Sequence, residues 1–266
     1  MSDCVMPDQI SFDICIVNFN TKELTKVCIE KLKKATEGMA CDIWVVDNGS
    51  TDGSVQMLES VEGIRFVPRT SDKPEEGHIA HAIAIDLVFN LSQKDYLILM
   101  HTDTIVHDRK AVLLLLESAM HQAKFGAAGC VEQVYYGKVG GYVRKLKKSV
   151  SYLKKSMLFK MGLRSTMPKA PVRSVHIRSF FSIWHMRAMR EEGLCFNMNN
   201  MNPGYAAQDV MTGLGYSFVS IPPETIFRDL DHLEAATVAQ VNPYHFKHRQ
   251  SKVFKEKLHK VLQSHQ

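Results

Sequence analysis

Residues 42–54 read Asp-Ile-Trp-Val-Val-Asp-Asn-Gly-Ser-Thr-Asp-Gly-Ser (DIWVVDNGSTDGS). An apolar, β-branched run breaks at Asp47 into a loop of small polar residues. This is a buried strand entering a turn that starts the next helix. The pattern recurs on both sides. Upstream, residues 12–18 (FDICIVN) form a second buried strand, followed by Asn20 and helical spacing at Leu24, Val27, Cys28, Leu32 and Ala35. Asn20 reads as a helix cap with Glu23 as its capping-box partner, and Gly38 as the stop. Downstream, residues 63–68 (GIRFVP) and 96–100 (YLILM) are strands, and 55–60, 78–90 and 109–124 are helices. Strands alternating with helices predict an α/β layer with a mostly parallel sheet. In such sheets ligands bind beyond the carboxyl ends of the strands. Those ends carry residues 18–21, 47–52 and 101–104, which are expected to meet in one crevice.

Known phosphate loops are absent. No G-x-x-x-x-G-K-[ST] occurs, and no G-x-G-x-x-G follows the first strand. Asp47 and Asp103 each end an apolar strand. Such a carboxylate suits a turn, or a hard divalent ion bound to a diphosphate.

The stretches 16–20 (IVNFN), 45–54 (VVDNGSTDGS) and 97–104 (LILMHTDT) resemble the nucleotide-binding half of family 2 glycosyltransferases with the GT-A fold. Residues 180–196 (FFSIWHMRAMREEGLCF) and 205–222 (YAAQDVMTGLGYSFVSIP) are similar to the acceptor half, and Asp229-Leu230-Asp231-His232 falls where the family often has a metal-binding histidine. The resemblance spans roughly 10–132 and 174–235. It implies an α/β GT-A fold: a Rossmann-like, mostly parallel sheet flanked by helices, with an inserted basic helical segment and a C-terminal helical tail. Residues 1–242 would be one catalytic domain, with 10–132 binding the nucleotide sugar, 133–173 inserted and 174–242 binding the acceptor, followed by a basic tail at 243–266.

The activity implied is inverting transfer of a sugar from a nucleoside-diphosphate donor (UDP, dTDP or GDP) to a hydroxyl of a glycan or lipid-linked glycan, of the bacterial surface-glycan type. Asn20, Asp47, Asn48 and Ser50 would border the donor nucleotide. Asp103 and His232 would hold Mn²⁺ or Mg²⁺, with His101 a possible third ligand. Asp209 would be the general base, and Trp184 and Gln208 would lie on the acceptor or sugar side. A base opposite the leaving group fits inversion. The sequence departs from the family at His101-Thr102-Asp103, where a D-x-D motif is usual, at Gln208-Asp209, where Glu-Asp is usual, and around Gly77. Two other readings compete. A nucleotidyltransferase would need a Gly-rich basic loop after the first strand, which N-F-N-T-K-E is not. A nucleic-acid binder would use the basic segment but leaves Asp47, Asp103 and Asp209 without a role, so nucleic acid is not the expected partner.

The chain has 266 residues and a net charge of +5, but the charge is unevenly spread. Residues 133–190 hold 14 Lys and Arg and no Asp or Glu, and residues 243–266 hold six against one acid. Elsewhere 13 basic residues face 27 acidic ones. Such asymmetry implies an anionic partner. From Tyr142, apolar residues recur at 143, 146, 150, 153, 157 and 161 among Arg144, Lys145, Lys147, Lys148, Lys154 and Lys155. This predicts a cationic amphipathic helix, for peripheral membrane binding or an anionic acceptor. Six cysteines without a C-x-x-C pair read as reduced core residues. The start, MSDCVMPDQI, lacks a basic and an apolar stretch, so no signal peptide is expected. The reading places the chain in the cytoplasm, with attachment to the inner face of the cytoplasmic membrane open to it.

Overall fold

The computed structural model describes residues 10–72, 75–133, 137–163, 165–167 and 175–233. The first strand, β1 (Phe12–Asn18), is buried along its whole length. Its side chains alternate between two cores. Phe12, Ile14 and Ile16 face one, and Cys15 and Val17 face the other. A strand covered on both faces reads as a continuous apolar run, which explains FDICIVN. Its buried acid, Asp13, is satisfied by Trp44 Nε1 at 2.9 Å and the Asp42 amide at 3.3 Å.

The elements follow as α1 (Lys22–Ala35), β2 (Cys41–Asp47), α2 (Ser54–Glu59), β3 (Arg65–Pro68), α3 (Gly77–Leu91), β4 (Tyr96–His101), β5 (Thr104–Val106), α4 (Lys110–Met120) and β6 (Phe125–Gly129). Then come α5 (Gly137–Lys160), β7 (Phe181–His185), α6 (Met186–Glu191), α7 (Tyr205–Gly213), β8 (Ser217–Ser220), α8 (Pro223–Ile226) and β9 (Leu230–His232). Seven strands form one sheet in the order β3-β2-β1-β4-β7-β6-β8. β1 pairs in parallel with β2 and β4, and β2 with β3. Only β7 runs against its neighbours, β4 and β6. Helices α1 and α4 bury Leu24, Cys28, Leu32, Val112 and Leu116 in the first core. Helices α3, α6 and α7 bury Ala84, Val88, Met189 and Met211 in the second. The expected α/β sheet is therefore present, with strand and helix positions close to those read from the sequence.

Two local readings change. Asn20 is not the cap of α1. Its backbone is left-handed (φ 52°), and its side chain reaches away to accept the Thr51 amide at 2.7 Å, so Thr21 occupies the cap position. The helix expected over 109–124 stops at Met120, because the chain must turn to place Lys124 O against the Ser217 amide (2.7 Å) and start β6. The basic tail at 243–266 lies outside the described residues. Among the described cysteines, all free, Cys15, Cys28 and Cys130 are buried, and burial pushes their thiols up, away from reactivity.

Gly204 shows how tightly the second core is built. It caps α7 with φ 78°, and a Cβ there would lie 2.6 Å from the Trp184 ring. Gly204→Ala combines backbone strain with a clash against a fully buried indole. It is expected to cost about 3 kcal/mol, measured as a lower urea midpoint with unchanged m-value.

Candidate active site

Parallel pairing sets Asn18 beside Asp47 and Val17 beside His101, so the ends of β1, β2 and β4 are level. The three polar clusters expected to converge do so. Asn18 Nδ2 donates to Asp47 Oδ2 (2.5 Å) and Ser50 Oγ (3.1 Å). Its Oδ1 accepts from Thr21 (2.7 Å), whose hydroxyl also meets Thr102 (3.1 Å). Asp47 Oδ1 accepts the Gly49 and Ser50 amides at 3.0 and 2.8 Å. Asp47 is 1% exposed and does not line the cavity described next. Its carboxylate shapes the loop, while Asn48 and Gly49 face the cavity. Asp47→Ala strands two amides and Asn18, and a loss of roughly 3 kcal/mol is expected, read as a lower melting temperature.

Beyond these strand ends lies a cavity of about 680 Å³. Its walls include Phe19, Asn48, Arg69, His78, His81, His101, Gln133, Arg178, Ser179 and Tyr205. Arg69 was not singled out in the sequence. Its guanidinium donates to Asn48 Oδ1 at 2.8 Å and to both Glu75 oxygens at 2.5 Å. This pairing holds the Glu75 carboxyl below its usual range. Asn48 Nδ2 in turn donates to Ala80 O at 3.2 Å, tying the loop to α3. A planar guanidinium fixed by two partners at a cavity wall suits a diphosphate or a nucleotide.

The metal candidates are brought together by the small sheet. β5 and β9 pair antiparallel with Thr104 opposite His232, and the Leu233 amide donates to Asp103 O at 2.8 Å. Residues 129 positions apart therefore meet: His232 Nε2 lies 3.2 Å from Asp103 Oδ1. His101 Nδ1 lies 3.8 Å from the same oxygen, and the three ligand atoms fall within 4.8 Å of one another. His232 Nδ1 faces Gln133 O at 2.8 Å. A carbonyl can only accept, so Nδ1 carries the proton and Nε2 points at the carboxylate. This is the arrangement by which an outer hydrogen bond fixes a metal-binding imidazole. His101 Nε2 is likewise turned to Ser179 Oγ (3.0 Å), leaving Nδ1 toward Asp103. Burial, reinforced by neighbouring imidazoles, pushes the His101 pKa down to about 3, and burial takes His81 to about 4. Both rings are neutral at pH 7. Two imidazole nitrogens and a carboxylate oxygen suit a first-row divalent ion with open positions.

On the other side, α7 separates the expected acceptor residues. Gln208 is buried. Its Oε1 accepts the Ile177 amide (3.0 Å) and its Nε2 donates to Val175 O (3.1 Å), so it clamps the strand approach. Asp209 is exposed and accepts from His176 Nε2 at 2.8 Å. The His176 ring stacks on the Tyr205 ring at 4.3 Å between centroids, and the Arg178 guanidinium carbon lies over the same ring, 5.5 Å from its centroid. Asp209 and His176 are thus outside the cavity lining, one stacked ring from it. Trp184 is corrected. It is fully buried between Phe196, Phe218 and Gly204, with Nε1 donating to Ser182 Oγ (3.0 Å), and has no surface to offer a ligand. Of the basic residues, Lys147, Lys154 and Lys155 are exposed on α5, while the side chains of Arg144, Lys145 and Lys148 lie outside the described set. No helix among the described residues is long and apolar enough to cross a membrane.

The sequence model for Glycosyl transferase family 2 matches residues 13–188. Among solved structures, the mannosyltransferase PcManGT from Pyrobaculum calidifontis, in complex with GDP-Man and Mn²⁺, matches with a TM-score of 0.55 at 12% identity, over 81% of this chain and 55% of that one. Glucosyl-3-phosphoglycerate synthase from Mycobacterium tuberculosis, in complex with Mn²⁺, UDP and phosphoglyceric acid, matches at 0.42 and 13%, over 68% and 57%. TarS 1–349 from S. aureus matches at 0.43 and 14%, over 70% and 50%. The chain thus spans about half the length of these solved structures. At such identities the likeness to the mannosyltransferase speaks for the fold. No curated protein matches the chain.

Proposed function

The chain belongs to glycosyl transferase family 2, and from that premise we propose that it is an inverting glycosyltransferase. Its donor is a nucleoside-diphosphate sugar (UDP, dTDP or GDP), and its acceptor is a hydroxyl of a glycan or lipid-linked glycan, on the cytoplasmic side of a bacterial membrane. Residues 10–132 take the donor and 174–242 the acceptor.

One observation carries the reading. The ligand atoms of Asp103, His232 and His101 stand within 4.8 Å of one another, and His101 also lines the cavity of about 680 Å³. That volume suits a nucleotide sugar. These three residues would hold Mn²⁺ or Mg²⁺, which when bound would neutralise charge on the departing diphosphate. Asn20, Asp47 and Ser50 shape the donor loop through their mutual hydrogen bonds, and Asn48 and Arg69 present polar groups to the nucleotide.

Asp209 is the general base. The acceptor oxygen bonds to the anomeric carbon as the bond from that carbon to the diphosphate oxygen breaks, and the acceptor proton passes to the Asp209 carboxylate. His176 positions that carboxylate through its 2.8 Å contact. An exposed base is open to an acceptor arriving from solvent. Incubating the protein with UDP-, GDP- and dTDP-sugars, with Mn²⁺ or with chelator, tests the reading by release of nucleoside diphosphate. Turnover of at least one donor that chelator abolishes is expected.

A further inference from the structure

We propose that helix α5 is a membrane-interface helix that docks on a bilayer carrying anionic lipid. The sequence pattern alone is that of many helices whose apolar stripe packs on their own domain. The structure removes that explanation. Val143, Leu146, Val150, Leu153, Met157 and Met161 are all exposed, Leu153 by 64% and Met157 by 63%. At helical pitch these six fall within an arc of about 80°. The partly buried side chains of α5, Tyr152, Ser156, Leu158 and Phe159, lie elsewhere, about 100–160° from the centre of the stripe by the same pitch. The helix therefore turns its most apolar stripe to solvent.

The flanks identify the occupant. Exposed Lys147 and Lys154 border one edge of the stripe and Lys160 the other. The 24-residue helix carries eight Lys and Arg and no acid. Aliphatic side chains between lysines match an acyl boundary beneath anionic headgroups, with lysine stems reaching outward. A second copy of the chain would bring two such cationic surfaces together. A nucleic acid would meet the lysines but not reward the Leu and Met stripe. The helix is too polar to span a bilayer, so it lies on one.

Its place in the chain gives this consequence for the site. α5 begins four residues after Gln133, which lines the cavity and accepts from His232. Docking would hold the cavity near the bilayer surface. The docking inference itself does not depend on the transferase reading, because binding is measured without substrate.

Co-sedimentation of the full chain with vesicles of phosphatidylcholine alone, or with roughly one-third phosphatidylglycerol, tests it. Binding is expected to be at least about tenfold stronger to the anionic vesicles and to weaken with salt. Leu146→Glu with Leu153→Glu is expected to reduce it at least about tenfold, with thermal unfolding unchanged because both side chains are exposed. Lys147→Gln with Lys154→Gln should weaken binding to anionic vesicles alone. No binding, equal binding to both vesicles, or full binding by the Leu146→Glu/Leu153→Glu variant would overturn the proposal. So would concentration-dependent self-association in buffer that the same variant abolishes, since a second copy would then cover the stripe.

Discussion

Asp103→Asn is expected to lower metal-dependent transfer by about 10³-fold while leaving the metal-free protein folded. The carboxylate is 4% exposed, and its Oδ1 sits 3.2 Å from His232 Nε2 and 3.8 Å from His101 Nδ1. His232 has committed its Nδ1 proton to Gln133 O. Its Nε2 therefore faces an anionic oxygen, a geometry that a proton or a cation between them satisfies. Asparagine keeps the shape, removes the charge and offers an amide hydrogen to Nε2. Melting of the metal-free variant should therefore match wild type, whereas stabilisation by Mn²⁺ should vanish. That pairing separates a lost ligand from a damaged fold. A variant that keeps wild-type turnover and its Mn²⁺ response would remove Asp103 from the site.

Asp209→Asn is expected to cut kcat by about 10²- to 10⁴-fold with little change in donor KM. The amide can still meet His176 but cannot take a proton. His176→Ala is expected to cost less, because the carboxylate remains and only its orientation is released. The two variants should also differ in what they leave behind: His176→Ala retains a proton acceptor and measurable kcat, and Asp209→Asn retains none. Product from wild type should have the anomeric configuration opposite to the donor, readable by NMR. Retained configuration would contradict a single displacement. Equal losses in both variants, with unfolded protein absent, would instead assign the pair a joint structural role.

The parallel half of the molecule was legible because its strands are buried on both faces. Runs such as FDICIVN and DIWVVD then have no other reading, and polar residues must gather at the strand ends. The polar loop after β2 was legible for the same reason, though its division of labour was not. Asp47 is spent on Asn18 and two loop amides, while Asn48 and Gly49 face the cavity. Arg69 was missed, although an arginine just past a strand end in a crevice was a usable signal. The meeting of Asp103 with His232 depended on pairing between β5 and β9, three residues each, too short for periodicity to show. His232 entered through resemblance alone. His176 meets Asp209 from 33 residues away, a contact that no spacing encodes. Trp184 was misread because a tryptophan in an apolar strand looks alike whether it meets a sugar or a core. The deciding fact is Gly204 pressed against its ring.

The central claim is that a divalent ion at Asp103, His232 and His101 joins a nucleoside diphosphate to this cavity. Thermal unfolding with Mn²⁺ and each of UDP, GDP and dTDP, against the same nucleotides in chelator, tests it most directly. Ligand at one hundred times its Kd adds about 2.7 kcal/mol to stability, which for a chain of this length raises the midpoint by about 5 °C. Such a rise is expected for at least one nucleotide with Mn²⁺, absent in chelator and absent in Asp103→Asn. No rise with any nucleotide, or a rise that chelator and Asp103→Asn leave untouched, would contradict it.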